Sequence, residues 1–195
     1  RYKDVNADGK IDDDDVVPIA HSNVPQIQYG FALEYRYKRW TISALFTGAA
    51  KVNFLYGGSG FYPFSGGEVG NILSIVNDPK NRWTPAWYSG DPSTENPNAR
   101  FPRLTYGENK NNNRASTFWL ADGSYLRWKS LDISYRIGTN KALRTVGISD
   151  MNLQFVGQNL AVWDSVKLWD PGQASKNGAV YPLQRTFSLQ LTATF

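Results

Sequence analysis

Thr186-Phe187-Ser188-Leu189-Gln190-Leu191-Thr192-Ala193-Thr194-Phe195 alternates without a break: each odd position is apolar and each even one carries a hydroxyl or amide. A period of two belongs to a β-strand, whose successive side chains point to opposite faces. Outward from this segment the pattern recurs four times. Tyr29, Phe31, Leu33, Tyr35 and Tyr37 alternate with Gly30, Ala32, Glu34 and Arg36. Trp40, Ile42, Ala44 and Phe46 follow the same rule, as do Leu131, Ile133, Tyr135 and Ile137, and then Met151, Leu153 and Phe155. Five strands are predicted, each near the 9 to 11 residues that cross a bilayer at a tilt. Helical spacing is confined to Val69–Val76, where Pro79 would stop a short helix.

The connections alternate in length. Residues 1–27 are long, Lys38-Arg39 is a two-residue turn, 49–124 is long, 138–149 is shorter and 161–185 is long. A transmembrane barrel shows this parity, with short periplasmic turns and long outer loops. It places the C-terminus in the periplasm. Tyr35, Tyr37 and Trp40 flank the Lys38-Arg39 turn at the level of Phe195, where an aromatic interface girdle is expected.

Composition agrees. Aromatic residues make up 14% of the 195 residues, with seven Trp, while mean hydropathy is only −0.46. Strands that alternate between lipid and water have this character. No run approaches the roughly 18 apolar residues of a membrane helix. The absence of cysteine excludes disulfides and Cys-based metal sites or nucleophiles. The net charge of +4 is scattered, and Arg36, Lys38 and Arg39 form too short a basic stretch for a nucleic-acid partner. Five strands cannot close a barrel, since the smallest single-chain barrels use eight. The chain is therefore expected to be an internal-to-C-terminal segment, with its targeting signal elsewhere.

Several segments resemble one family in order. They are Asn96–Leu104 (NPNARFPRL), Ser116–Ile137 (STFWLADGSYLRWKSLDISYRI), Gly157–Gly172 (GQNLAVWDSVKLWDPG), Tyr181–Phe195 and the opening DVNADGKIDDDD. Together they resemble the C-terminal end of SusC/RagA-type TonB-dependent transporters of the Bacteroidota. Residues 49–95 carry the least of this likeness. The resemblance implies an all-β fold: the last five antiparallel strands of a 22-stranded transmembrane barrel with long extracellular loops, residues 1–195 forming one part of it. It also implies a plug domain and a TonB-contacting N-terminal region outside this chain, and a SusD-like lipoprotein lid as partner. The remaining partners are the rest of the barrel and outer-membrane lipid, and the cargo is oligosaccharides or peptides. In this family a terminal aromatic, here Phe195, is read by the barrel-assembly machinery.

One motif points to a metal. Asp4-x-Asn6-x-Asp8-Gly9-Lys10-x-Asp12-x-x-Asp15 follows the twelve-residue calcium-loop spacing. Side-chain oxygens come from the alternate positions Asp4, Asn6 and Asp8, a carbonyl from Lys10, and further carboxylates from Asp12 and Asp15. Position twelve is Asp where such loops carry Glu, and Asp13 or Asp14 could compensate. Ca²⁺ is the expected ion, with Mg²⁺ as the alternative, in a structural role. A solvated acidic turn has the same composition.

No catalytic constellation is visible, and the chain is not expected to be an enzyme. His21 is the sole histidine and has no nucleophile elbow near it. Gly57-Gly58-Ser59-Gly60 and Gly66-Gly67 lack the Lys-Ser/Thr of a phosphate loop and read as flexible connections. Trp83, Trp87, Trp119, Trp163 and Trp169 fall in or beside the long loops. Their flat faces are candidates for substrate contact, or for packing and partner contact. Glu34, Arg36, Asp132 and Arg136 are expected to face the lumen, toward plug or substrate. The rival reading is a soluble calcium-stabilised carbohydrate-binding β module.

Overall fold

A computed structural model describes residues 2–65 and 70–195. The Gly66-Gly67 pair and Val69, the expected start of a helix, lie outside the described residues. Five strands form one antiparallel sheet: β1 (Ile27–Tyr37), β2 (Trp40–Ala50), β5 (Tyr125–Arg136), β6 (Asp150–Asp164) and β7 (Thr186–Thr194), side by side in chain order. Between β2 and β5 lie a two-stranded ribbon, β3 (Asn53–Leu55) and β4 (Leu120–Asp122), and two one-turn helices, α1 (Ser74–Asn77) and α2 (Ala86–Ser89). Helix α3 (Lys141–Thr145) shortens the connection from β5 to β6, with the Asn140 side chain accepting from the Leu143 N–H at 3.0 Å. Asparagine favours this cap because its short side chain reaches the free N–H groups of the first turn. All five predicted strands are present.

Register turns the alternation of each strand into two continuous faces. Tyr35, Ile42, Ile133, Phe155 and Leu189 lie in one lateral row; Leu33, Ala44, Leu131, Gly157 and Phe187 lie in the next. On the other face one row reads Glu34, Ser43, Asp132, Val156 and Ser188. The apolar face is uncovered: Leu33 is 60% exposed and Leu189 71%. Aromatic rings stack along it, Phe155 on Phe187 midway. Trp40 packs on Tyr135 at 4.6 Å near the short turns, while Phe31, Phe46 and Trp128 stack in series toward the long loops.

Two strands differ from the expectation. Lys129 has no lateral partner in β5, because the register shifts between Trp128 and Ser130. A bulge inserts one residue and reverses the parity of the strand beyond it. The apolar face thus continues through Trp128 and Leu126, even positions, after Leu131, an odd one. In β6 the chain bends at Asn159 (φ 52°), a conformation Asn tolerates better than most residues. The Asn159 amide donates to the Gln184 carbonyl at 2.9 Å. Beyond it the strand runs on to Asp164, so Trp163, expected in or beside a loop, stands in a strand on the apolar face opposite Leu126.

The buried core lies outside the sheet. Phe61, Val76, Phe101 and Trp119, each at most 2% exposed, pack with Tyr56, Tyr62, Leu168 and Trp169; Phe54, Ala121 and Val166 adjoin them. These residues come from both long connections, 51–124 and 165–185, which fold together as a cap at one end of the sheet.

Candidate functional site

The cap end holds most of the chemistry singled out above. Arg127 belongs to the polar face at this end of β5, between the apolar-face residues Leu126 and Trp128. Its guanidinium meets both oxygens of Asp170 at 2.6 Å, with the two side chains 8% and 15% exposed. Asp170 also accepts from the Gly172 N–H at 2.9 Å, opening a short 3-10 turn over Pro171–Gln173. The pair pins connection 165–185 onto the polar face. A nearly buried guanidinium left alone is costly, so Asp170→Asn should remove about 2 kcal/mol from this docking. Limited proteolysis of the full-length protein should then cut first within 165–185. An unchanged cleavage pattern would show that the pair does not hold the loop.

The two connections are also tied by the Gly57 N–H to the Lys176 carbonyl at 2.9 Å and by the Asn177 amide to the Ser59 carbonyl at 2.9 Å. The Tyr56 hydroxyl donates to the Val166 carbonyl at 3.3 Å. Burial pushes that phenol above its ordinary value, with Arg100 opposing the shift.

The five tryptophans have separate fates. Trp119 is buried, its indole N–H donated to the Asn112 carbonyl at 2.7 Å and its ring faces met by Phe61, Tyr62 and Phe118. Trp169 packs against Tyr56 and Phe61 and donates to the Ser175 carbonyl at 3.1 Å. Trp83 is half-buried beneath the Arg103 guanidinium, 6.0 Å from its ring centre. Trp163 belongs to the apolar face. Trp87 alone of the five is almost free, at 79% exposed, beside Tyr88 at 67%. Helix α2, which carries both, is held by Glu95 accepting from the Ala86 N–H at 2.8 Å and by the Ser89–Thr94 hydroxyl pair at 2.7 Å.

The acidic segment is a closed loop. Asp4 accepts from the Ala7 and Gly9 N–H groups at 2.6 and 2.8 Å, Asn6 from Asp8, and Asp8 from Lys10. Asp15 reaches back to the Val5 N–H at 2.6 Å and takes the Asp12 N–H at 3.0 Å, so the twelfth position grips the first turn. Among the described residues no three His, Cys, Asp or Glu side chains gather as a metal site. The acidic side chains face backbone N–H groups instead. The loop rests on the cap through the Tyr2 hydroxyl, donated to the Asn111 carbonyl, and His21 contributes its backbone N–H to Asn53.

The Val5 N–H, then that of Asp12, hold the Asp15 carboxyl below its ordinary 3.8. A depressed folded value means that the contribution of Asp15 is full above pH 3.8 and is lost as the pH falls through the lower folded value. Pepsin digestion should therefore open the 4–15 segment as the pH drops below about 4, and Asp15→Asn should open it already above that pH. Equal cutting of wild type and variant at all pH values would refute this.

On the polar face Glu34, Arg36, Asp132 and Arg136 occupy neighbouring rows toward the short-turn end. Arg36 pairs with Glu34 at 2.6 Å and Arg136 with Asp150 at 3.1 Å; Asp132 accepts from the Gln154 amide. Phe195 follows β7 at the same end and is 84% exposed. The Arg127–Asp170 pair escapes sequence reading. Asp170-Pro171-Gly172 signals a turn, but nothing in the sequence names a partner 43 residues away.

Neither family models nor curated protein sequences give a match to the chain. Solved structures do. The RagAB peptide importer in its "open-open" state aligns with a TM-score of 0.67 at 21% identity, and in its "closed-closed" state at 0.65 and 19%. A further structure of the RagAB peptide transporter aligns at 0.61 and 18%. Each alignment covers 95% of this chain and 19% of the other, so the chain spans about a fifth of the length of the proteins it matches. Identity at this level shows the fold: the sheet and its cap are arranged as in a segment of those chains.

Proposed function

We propose that the chain is the C-terminal part of a TonB-dependent outer-membrane importer taking up peptides or oligosaccharides. One observation carries this reading: a single-layer sheet with one wholly apolar, uncovered face and one polar face, its buried core displaced into the loops. A soluble binding module would cover the apolar face with a second layer, and an exposed patch of this extent in water would aggregate. Facing lipid, the patch needs no cover. An 11-residue strand such as β1 rises roughly 36 Å, about 28 Å across the membrane at the usual tilt.

On this reading the cap lies outside the cell, the short turns and Phe195 lie in the periplasm, and Phe195 serves barrel assembly. The polar face lines the lumen, where Glu34, Arg36, Asp132 and Arg136 meet the plug or passing cargo. A SusD-like lipoprotein lid delivers substrate at the cap, where Trp87 and Tyr88 are free for cargo or lid. The plug rearranges under force from TonB and the cargo crosses through the lumen. Cells with and without the full-length protein, offered labelled oligopeptides and oligosaccharides, test the proposal. Energy-dependent uptake of one class that vanishes on deletion is expected. Recovery of the full-length protein from the aqueous fraction, with no uptake defect on deletion, would refute it.

The Asp4–Asp15 loop is assigned a structural Ca²⁺, with Mg²⁺ as the rival ion. Asp4, Asn6, Asp8, Asp12 and Asp15 would supply side-chain oxygens and Lys10 its carbonyl. The support is the donor set and a loop already closed by its last carboxylate. The ion would stiffen the loop against the cap. Calorimetric titration should give a Ca²⁺ site that Asp4→Asn weakens about tenfold, since affinity follows ligand charge. Identical heats for the two proteins would remove the assignment.

A further inference from the structure

Resting on the importer reading, we infer that a cleft at the cap end of the polar face holds an uncharged stretch of extended peptide cargo. The cleft measures about 600 Å³ and lies between Asn23 and Gln28, Thr47 of β2, Tyr125 of β5 and Gly172 of the cap. That volume is in the range of small-ligand sites.

Its chemistry selects the ligand. No charged side chain lines the cleft, and Arg127 and Asp170, each next to a wall residue, neutralise one another at 2.6 Å and are nearly buried. A charged group entering would lose water and find no partner. The polar groups that remain are the amides of Asn23 and Gln28 and the hydroxyl of Thr47. Each both donates and accepts, the complement of a peptide unit's N–H and C=O. A sugar ring would want an open aromatic face. Tyr125, inside the cleft, has the Arg127 guanidinium over its ring at 5.4 Å and Gly172 against its hydroxyl. Tyr29, the other aromatic in the wall, commits its hydroxyl to the Tyr125 carbonyl at 2.9 Å, and the exposed Trp87 is not among the cleft's walls.

The test uses the full-length protein carrying Thr47→Cys, with maleimide labelling of that site followed by mass spectrometry and ligand binding followed separately by calorimetry. The probes are acetylated, amidated tetrapeptides of uncharged residues, the same set with two aspartates, and maltotetraose. Uncharged peptides should slow labelling of position 47 about tenfold, with the other probes leaving it unchanged and Ser188→Cys, lower on the same face, insensitive to all. In a second variant, Thr47→Trp, uncharged-peptide affinity should fall about tenfold. Calorimetric binding of uncharged peptides without protection of position 47 would overturn the cleft and leave the importer reading standing. Protection by maltotetraose or the aspartate peptides would overturn the ligand class. A wild-type protein that binds no probe and imports none would overturn both.

Discussion

Ala44→Arg should destabilise the assembled protein by about 2–4 kcal/mol, the cost of an arginine facing lipid at mid-bilayer, while Ser43→Arg one position away should cost almost nothing. Ala44 lies in the central row of the apolar face, between Leu33 and Leu131. On the importer reading an arginine there would have hydrocarbon around it, and its row holds no carboxylate. Ser43 faces the other way, laterally between Glu34 and Asp132. A guanidinium at that position gains two opposite charges, each cross-strand pair worth a few tenths of a kcal/mol. The urea midpoint of the full-length protein refolded in lipid vesicles measures both. Equal tolerance of the two variants would mean that the apolar face does not meet lipid.

Trp119→Ala should cost the cap about 3–5 kcal/mol, the range for removing a large aromatic from a close-packed core. The indole stands 5.8 Å from Phe61 and 5.1 Å from Tyr62, centre to centre, and its N–H bond to Asn112 goes with it. The loss is local because the sheet makes no use of this ring. Amides of 54–62 and 99–104 should exchange faster while those of β5 and β6 keep their protection. Trp163→Ala, at the rim of the apolar face, is the control that leaves the cap intact. Uniform loss of protection across cap and sheet in Trp119→Ala would contradict the separation of the two.

Residue pattern made the sheet legible where alternation was unbroken. Thr186–Phe195 and Tyr29–Tyr37 have the same face assignment in sequence and in register. Legibility stopped at the bulges. The parity of β5 reverses at Lys129, so Leu131, Ile133 and Tyr135 followed backward assign Trp128 and Leu126 to the wrong face, although the start of the strand after residue 124 is read correctly. The bend at Asn159 hid the last turnless residues of β6 and left Trp163 with the loops. The cap was illegible for another reason. Phe61, Val76, Phe101 and Trp119 come from four places, only Val76 from a segment with any period, and only tertiary packing makes them neighbours. The aromatic character of the three rings was visible, but a buried tryptophan and an exposed one such as Trp87 read alike. The acidic loop was legible as a spacing, and the grip of Asp15 on Val5 follows that spacing; the pairing of Arg127 with Asp170 left no local trace.

The position of the core has a consequence for the order of folding. Contacts such as Tyr56 with Val166 and Ser59 with Asn177 close loops of more than 100 residues. Closure over such spans is entropically slow and pays back only when the ends are already near one another. In this chain the intervening strands bring them near: β2, β5 and β6 must be zipped before connection 165–185 can find connection 51–124. The cap is thus a late event, a checkpoint that registers completion of the wall beneath it. A strand mispaired anywhere between β2 and β6 would leave two long, aromatic-rich loops unpacked and open to proteolysis.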